Sequence, residues 1–324
     1  MNDAIGGYFG LEIPPGVSPY PTALGYNSAR YAFQALLGTS NARRLYLPWY
    51  TCKTMVEAAH RSGIELRRYC LDERLEPVGL PALDADERLL YVNYFGYQGA
   101  FIRERLAPSL AGQLIADHAQ ALFCPPLDGV PTLYSPRKFV GVPDGGWLLN
   151  APAIMPPLPP ALSKDRFAAL LGRLEDGPEP WYGSYVEVEQ GIAAEGMRGM
   201  SVLTARLLEG VDYAGIAARR QANLAHLHRG LAGLNRYQVP VQAGLAPLCY
   251  PLLLADASQT ERVRAQLAGQ RIYLATYWRD VLEAKGGCEV GARWAQCMLP
   301  LPIDQRYGPA HMERLIAAVS QALG

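Results

Sequence analysis

Residues 88–96 read RLLYVNYFG, a near-continuous apolar run without alternation between two faces. A strand of that kind is covered on both sides, which is the condition of a parallel sheet sandwiched by helices. The surrounding segments keep the same rhythm. ARYAFQALLG repeats apolar residues at helical spacing and stops at Gly38, and RRLYLPWY reads as a short buried strand. TCKTMVEAAHRSG reads as a helix ending at Gly63, and IELRRYCL as the next strand. FIRERLAPSLAG is helical, and QLIADHAQALF is a strand with polar residues at its end. This alternation predicts a large three-layer α/β/α domain with a mostly parallel sheet.

The second half is organised differently. Residues 151–163, APAIMPPLPPALS, are proline-rich and read as a surface loop. SVLTARLLEG and DYAGIAARRQANLAHLHRGLAG show helical periods. LCYPLLLA, RVRAQLAGQ, RIYLATYW and MERLIAAVSQALG then read as strand, helix, strand and helix, enough for a smaller C-terminal α/β domain. The expected division is 1–215 and 216–324.

Composition removes several functions. The 324 residues have a formal net charge of zero and no basic stripe, so nucleic acid is not an expected partner. No run of about 18 uncharged apolar residues suggests a membrane span. The opening MNDAIGGYFG lacks a basic stretch followed by an apolar one, so it is not expected to be a secretory signal. The six cysteines form no Cys-x-x-Cys pair and none lies near a histidine at metal spacing. They are expected to be reduced, mostly buried thiols in a cytoplasmic protein with no metal site.

Ligands in parallel α/β sheets collect at the carboxyl ends of the strands. Three such ends carry unusual side chains: Asn93, Tyr94 and Phe95; Asp117, His118 and Gln120; and Ser135, Arg137 and Lys138. Lys138 is one of four lysines against twenty-six arginines, and it stands between Ser-Pro-Arg and a Pro-Asp-Gly-Gly stretch. Asn27 and Ser28 fall where a helix begins, a position that suits an anion. Together these parts describe a ligand with a phosphate, a basic ring nitrogen and a carbonyl. A lysine amine condenses with the carbonyl as a Schiff base, and an aspartate keeps the ring nitrogen protonated. Pyridoxal 5′-phosphate meets that description.

The same residues resemble the DegT/DnrJ/EryC1/StrS family of sugar aminotransferases, which have the type I fold of pyridoxal-phosphate enzymes. Its Asp-x-x-Gln element is matched by Asp117 to Gln120, and its lysine, acidic residue and Gly-Gly by Lys138, Asp144, Gly145 and Gly146. PWYTCKTMVEAA matches its Pro-x-x-Thr turn and helix, and Arg219, Arg220 and Asn223 match its Arg-Arg-x-x-Asn helix. The resemblance runs from about Gly25 onward. It implies that Lys138 holds the cofactor aldehyde and shuttles protons, that Asp117 pairs with the pyridinium nitrogen, and that Gln120 lies near the ring hydroxyl. Ser135, Asn27 and Ser28 would bind phosphate.

The chain also departs from the family pattern. YNSAR replaces the usual Ser/Gly-Thr pair, so Ala29 and Arg30 join the candidate phosphate cup. Cys52 stands where an aromatic residue often stacks on the ring, with Trp49 and Tyr50 just before it. Lys138 argues against the dehydratase branch, in which histidine replaces the lysine.

The expected function is pyridoxal-phosphate-dependent amino transfer. A donor such as glutamate and a keto substrate, a nucleotide-linked keto sugar by resemblance, would be the small-molecule partners, and the protein a homodimer by resemblance. Another pyridoxal-phosphate reaction, a lyase or racemase, or a non-catalytic protein of the same fold remains open. Tyr94, Phe95, Trp278, Arg279 and Arg306 are candidate substrate contacts; guanidinium grips carboxylate and phosphate in bidentate fashion. Plainer roles stand beside each: a solvated lysine, a loop-capping aspartate, a helix cap at Asn27 and Ser28, core aromatics, surface ion pairs. His118 alternates away from Asp117. Glu187, Glu189 and Glu195 read as a solvated face.

Overall fold

The computed structural model describes residues 5–110, 112–152, 154–284 and 286–324. Eight strands form one sheet: β1 (Leu24–Tyr26), β2 (Arg44–Pro48), β3 (Glu65–Leu71), β4 (Pro77–Val78), β5 (Glu87–Val92), β6 (Leu114–His118), β7 (Thr132–Tyr134) and β8 (Gly146–Leu149). Their spatial order is β1-β8-β7-β6-β5-β2-β3-β4. The inner pairs β7-β6, β6-β5, β5-β2 and β2-β3 are parallel, while β8 runs against both β7 and β1, and β4 against β3. The run at 88–96 is the central strand β5, with Leu89, Leu90, Tyr91 and Val92 all buried. Chain connections move outward in opposite directions from the β5–β2 pair, which makes the carboxyl ends of these strands the natural crevice for a ligand.

Helices flank the sheet. α1 (Ala29–Gly38) starts at an N-cap serine, Ser28, whose side chain accepts from the Tyr31 amide, and it buries Tyr31, Ala32, Phe33, Ala35, Leu36 and Leu37. α2 (Lys53–Arg61) follows β2. The helix expected over FIRERLAPSLAG is two short α segments, α3 (Gly99–Phe101) and α4 (Ala107–Ser109), joined through a π stretch at Ile102–Leu106. Two helices that apolar spacing does not announce, α5 (Ala168–Glu175) and α6 (Tyr182–Glu195), follow the proline-rich segment. α7 (Val202–Glu209) and α8 (Tyr213–Leu231) match the expected helices.

Beyond α8, β9 (Cys249–Leu253) and β10 (Met298–Pro302) make a two-stranded antiparallel sheet, accompanied by α9 (Ala257–Gly269), α10 (Glu289–Cys297) and α11 (Pro309–Leu323). The second strand of this unit is therefore MLPLP. RIYLATYW does not form one: Ile272 to Trp278 has no ladder, and Tyr277 and Trp278 pack on the residues that end the large sheet's strands. Two prolines disguise β10, but a two-stranded sheet is all edge, where a missing N–H costs little. The buried core is continuous from the large sheet to the small one.

Two further expectations fail. Cys70 near the end of β3 and Cys288 at the start of α10 form a disulfide with Cα atoms 5.7 Å apart, while Cys52, Cys124, Cys249 and Cys297 are free. The partners are 218 residues apart in sequence, so only tertiary packing brings them together. The acidic cluster is not simply a solvated face. Glu189 pairs with Arg137, and Glu195 with Arg166 at 2.9 Å, tying α6 to the rest of the large unit.

Candidate active site

The site residues are delivered by strand ends. β6 places Asp117 opposite Leu133 of β7, and the chain leaves β7 through Ser135 into a tight turn at Pro136–Lys138. Proline at the first turn position presets the backbone there. The Lys138 amide donates to Ser135 O at 3.2 Å and the Phe139 amide to Pro136 O at 2.8 Å. Pro136 and Phe139 are buried while Lys138 between them is exposed; the lysine makes no ion pair among the described residues and stands on a fixed backbone.

Asp117 is only 5 % exposed. Burial pushes its carboxyl above the ordinary carboxylate range; the nearby Lys138 ammonium and the Ala119 amide pull it back only in part. Oδ1 accepts from the Ala119 amide at 2.9 Å, and Oδ2 has no hydrogen-bond partner among the described residues. Gln120 Oε1 accepts from the Phe95 amide at 2.9 Å, holding Phe95 at a φ of 55°, and its Nε2 is buried without a partner among the described residues. The Tyr50 hydroxyl and Thr51 Oγ1 are also buried, with no hydrogen-bond partner among the described residues. Tyr94 donates to Tyr50 O at 2.7 Å, tying the ends of β5 and β2 together. Unsatisfied buried polar atoms are uncommon in folded proteins. Here Asp117 lies near the end of β6 and Gln120 just after it, Tyr50 and Thr51 follow β2, and Lys138 follows β7, the neighbour of β6.

The α1 end of the site is built on glycine. A Cβ on Gly146 would lie 2.6 Å from Ser28 O, and closer still to the Ser28–Ala29 peptide, so only glycine lets β8 pass the start of α1. Gly145 sits at a φ of 122°, its amide donating to Asn27 O at 2.9 Å. Asp144 is fully buried and accepts from Ser201 Oγ at 3.0 Å. The acidic residue and Gly-Gly of the motif are therefore structural, joining β8, α1 and α7.

The remaining candidates divide. Arg30, on the first turn of α1, has a buried, unpartnered Nε, and the Ser135 hydroxyl makes no hydrogen bond among the described residues. Asn27 is committed: Nδ2 donates to Gly196 O at 2.8 Å, and Oδ1 accepts from the Arg198 amide at 3.2 Å. Ser28 caps α1. Cys52 Sγ lies 3.1 Å from Thr54 Oγ1 and brings no aromatic face. Trp278 packs edge-on against Tyr50 and Tyr94, at centroid distances of 4.7 and 5.9 Å. Phe95 turns inward onto Tyr277 and Trp294. Arg279 lies at the surface, 3.9 Å from Glu261. Arg306 forks onto Asp304 at 2.7 and 2.9 Å. Arg306 is thus already engaged by a carboxylate, while Arg279 remains exposed. His118 is buried beside Tyr134, and burial pulls its pKa down to about 4, so it is neutral. Thr51 and Tyr50 belong to the Pro-x-x-Thr turn that the sequence singled out, and burial adds that the Thr51 and Tyr50 hydroxyls lack hydrogen-bond partners among the described residues.

No family model matches the chain, and no curated protein matches it. Solved structures do. The sugar aminotransferase CalS13 from Micromonospora echinospora matches with TM-score 0.63 and 15 % identity, over 93 % of this chain and 87 % of that one. A DegT DnrJ EryC1 StrS aminotransferase from Brucella abortus gives 0.59 and 16 %, over 93 % and 86 %. NtdA from Bacillus subtilis, solved with bound cofactor PMP, gives 0.62 and 13 %, over 93 % and 73 %. Across nearly its whole length, the chain has the fold of the DegT/DnrJ/EryC1/StrS-type aminotransferases.

Proposed function

We propose that the chain is a pyridoxal-phosphate-dependent aminotransferase. One observation carries the reading: a buried aspartate with an unpartnered oxygen and an exposed lysine that acts on its charge, at the ends of adjacent parallel strands. The polar groups left unsatisfied there are of the types the cofactor would engage. Asp117 would hold a proton at the ring nitrogen, and the Gln120 amide would donate to the ring hydroxyl. Arg30, Ser135 and the start of α1 would take the phosphate. Bound there, pyridoxal phosphate supplies an electron sink for negative charge developing beside the transferred nitrogen.

The chain's own work is to bind, orient and move protons. Lys138 is the amine that can attack the cofactor's aldehyde and later carry a proton between two carbons. Trp278 and Tyr94 stand over Tyr50 as the aromatic wall nearest these strand ends. The exposure of Lys138 fits a site completed by a second subunit, and a homodimer belongs to this proposal, as does a division of the chain near residue 215, within the first turn of α8. So does a nucleotide-linked keto sugar as acceptor, in keeping with the sugar aminotransferase of like fold. Among the described residues no helix is long and apolar enough to cross a membrane. A cytoplasmic location is also proposed; the Cys70–Cys288 bridge is unusual for that compartment.

The test is a half-reaction. Protein loaded with pyridoxal phosphate and mixed with glutamate should form 2-oxoglutarate and the cofactor's amine form, in step. Release of other products from the amino acid would favour a lyase or racemase. A protein that takes up no pyridoxal phosphate would be a non-catalytic relative in fold.

A further inference from the structure

The Arg-Arg-x-x-Asn motif has no part in the site described so far, yet it converges on the lysine turn. Arg220 is among the largest fully buried side chains of the molecule, 1 % exposed, with no carboxylate within ion-pair distance among the described residues. Its guanidinium stacks 4.6 Å from the centre of the Phe139 ring, the residue after Lys138. Nη1 donates to Pro247 O at 3.0 Å and Leu248 O at 3.1 Å. The Leu248 amide in turn donates to Phe95 O at 2.8 Å, so the same cation braces the turn after β5. Burial pulls the guanidinium down to about 10, so it stays charged at neutral pH.

Asn223 lies one helical turn further along the same face of α8. Its Nδ2 donates to Ile303 O, Asp304 O and Tyr307 O at 3.1, 3.3 and 3.0 Å. The loop it gathers carries Gln305, whose Nε2 donates to Phe139 O at 2.7 Å. Phe139 is thus held on its ring by Arg220 and on its carbonyl by a loop that Asn223 fixes. A buried cation that has no direct ion pair among the described residues, only the longer-range attraction of Asp304, is costly to keep, which marks its contacts as specific.

We propose that Arg220 and Asn223 are positioning residues for Lys138: through Phe139 they make the C-terminal unit set the orientation of the lysine turn. The inference rests on the proposed role of Lys138 for its functional meaning but not for its test. Site-resolved reductive methylation of the ligand-free protein reports the reactivity of Lys138, with exposed Lys53 and Lys164 as internal references. Arg220→Met and Phe139→Leu should each change the Lys138 rate, relative to those references, by about twofold or more, the lower end of coupling between contacting residues. Arg219→Met, on the exposed neighbour, should leave it unchanged. An unaltered ratio in Arg220→Met and Phe139→Leu, both folded by circular dichroism, would overturn the proposal. Should Arg220→Met not fold, the ratio in Phe139→Leu decides by itself. Borohydride trapping of pyridoxal phosphate on the wild-type protein, run in parallel, reports separately on the cofactor reading. Loss of trapping there with a shifted ratio in the variants leaves the positioning role standing and removes the aminotransferase.

Discussion

Gly146→Ala tests how the start of α1 is built. The added carbon would lie 2.6 Å from Ser28 O and closer still to the Ser28–Ala29 peptide, where ordinary contact begins at 3.4 Å, so the start of α1 must retreat from β8 by more than about 0.8 Å. The obstacle is backbone, not the tip of a flexible side chain, so no rotamer change relieves it. Overpacking of this kind costs about 1–3 kcal/mol and should lower the unfolding midpoint by a few degrees. The second effect is on binding. Moving donors at the start of the helix by that distance takes a charge-assisted hydrogen bond to phosphate out of range, a loss of about 1.5–3 kcal/mol. Uptake of pyridoxal phosphate, followed by fluorescence quenching or equilibrium dialysis, should weaken roughly ten- to a hundredfold, and pyridoxal without its phosphate should be affected much less. A Gly146→Ala protein of wild-type midpoint and affinity would refute the packing. Equal losses for pyridoxal and its phosphate would refute the phosphate site.

Three other outcomes follow. Asp117→Asn removes a carboxyl that burial holds above its usual range. Between its unfolded and folded pKa the native state keeps a proton that the unfolded chain has lost, so its contribution to stability falls as pH rises through that window and is flat above it. The ligand-free variant should therefore gain on the wild type as pH rises above about 4, the unfolded carboxylate's pKa, while pyridoxal phosphate stabilises it less; a pH-independent difference would contradict this. Cys70→Ser opens a loop of 218 residues, for which the chain-entropy model gives a loss of roughly 5 kcal/mol in denaturant titrations without reductant. Alkylation of the unreduced, denatured wild type should find the four free thiols, and six would disprove the bridge. Gln120→Leu removes the acceptor that holds the Phe95 amide at positive φ, and should cost about 1–3 kcal/mol of stability as well as cofactor affinity; an unchanged midpoint would disprove the brace.

The parallel sheet was legible because its strands are buried on both faces, and RLLYV needs no partner to reveal that. β2, β3, α1 and α8 were legible for the same local reasons: apolar spacing and end signals. What failed is non-local. RIYLATYW has the composition of a strand, but Arg271 and Trp278 sit at φ of 57° and 52°, and tertiary aromatic contacts outweigh strand preference. α6 buries only Ile192, so no apolar stripe marks it; the Arg137–Glu189 and Arg166–Glu195 pairs help fix it in place. In the site, Asp117 and Lys138 were legible as polar residues ending apolar strands. The commitments of Asn27 to Gly196 and of Arg306 to Asp304 were not, since a residue type names what a side chain can bind and not what it already holds.

The most direct measurement is chemical. Purified protein incubated with pyridoxal phosphate and reduced with borohydride should carry one pyridoxyl group, located on Lys138 by peptide mass spectrometry, and Lys138→Ala should carry none. Label spread over Lys53 and Lys164, or label that persists in Lys138→Ala, would contradict the account.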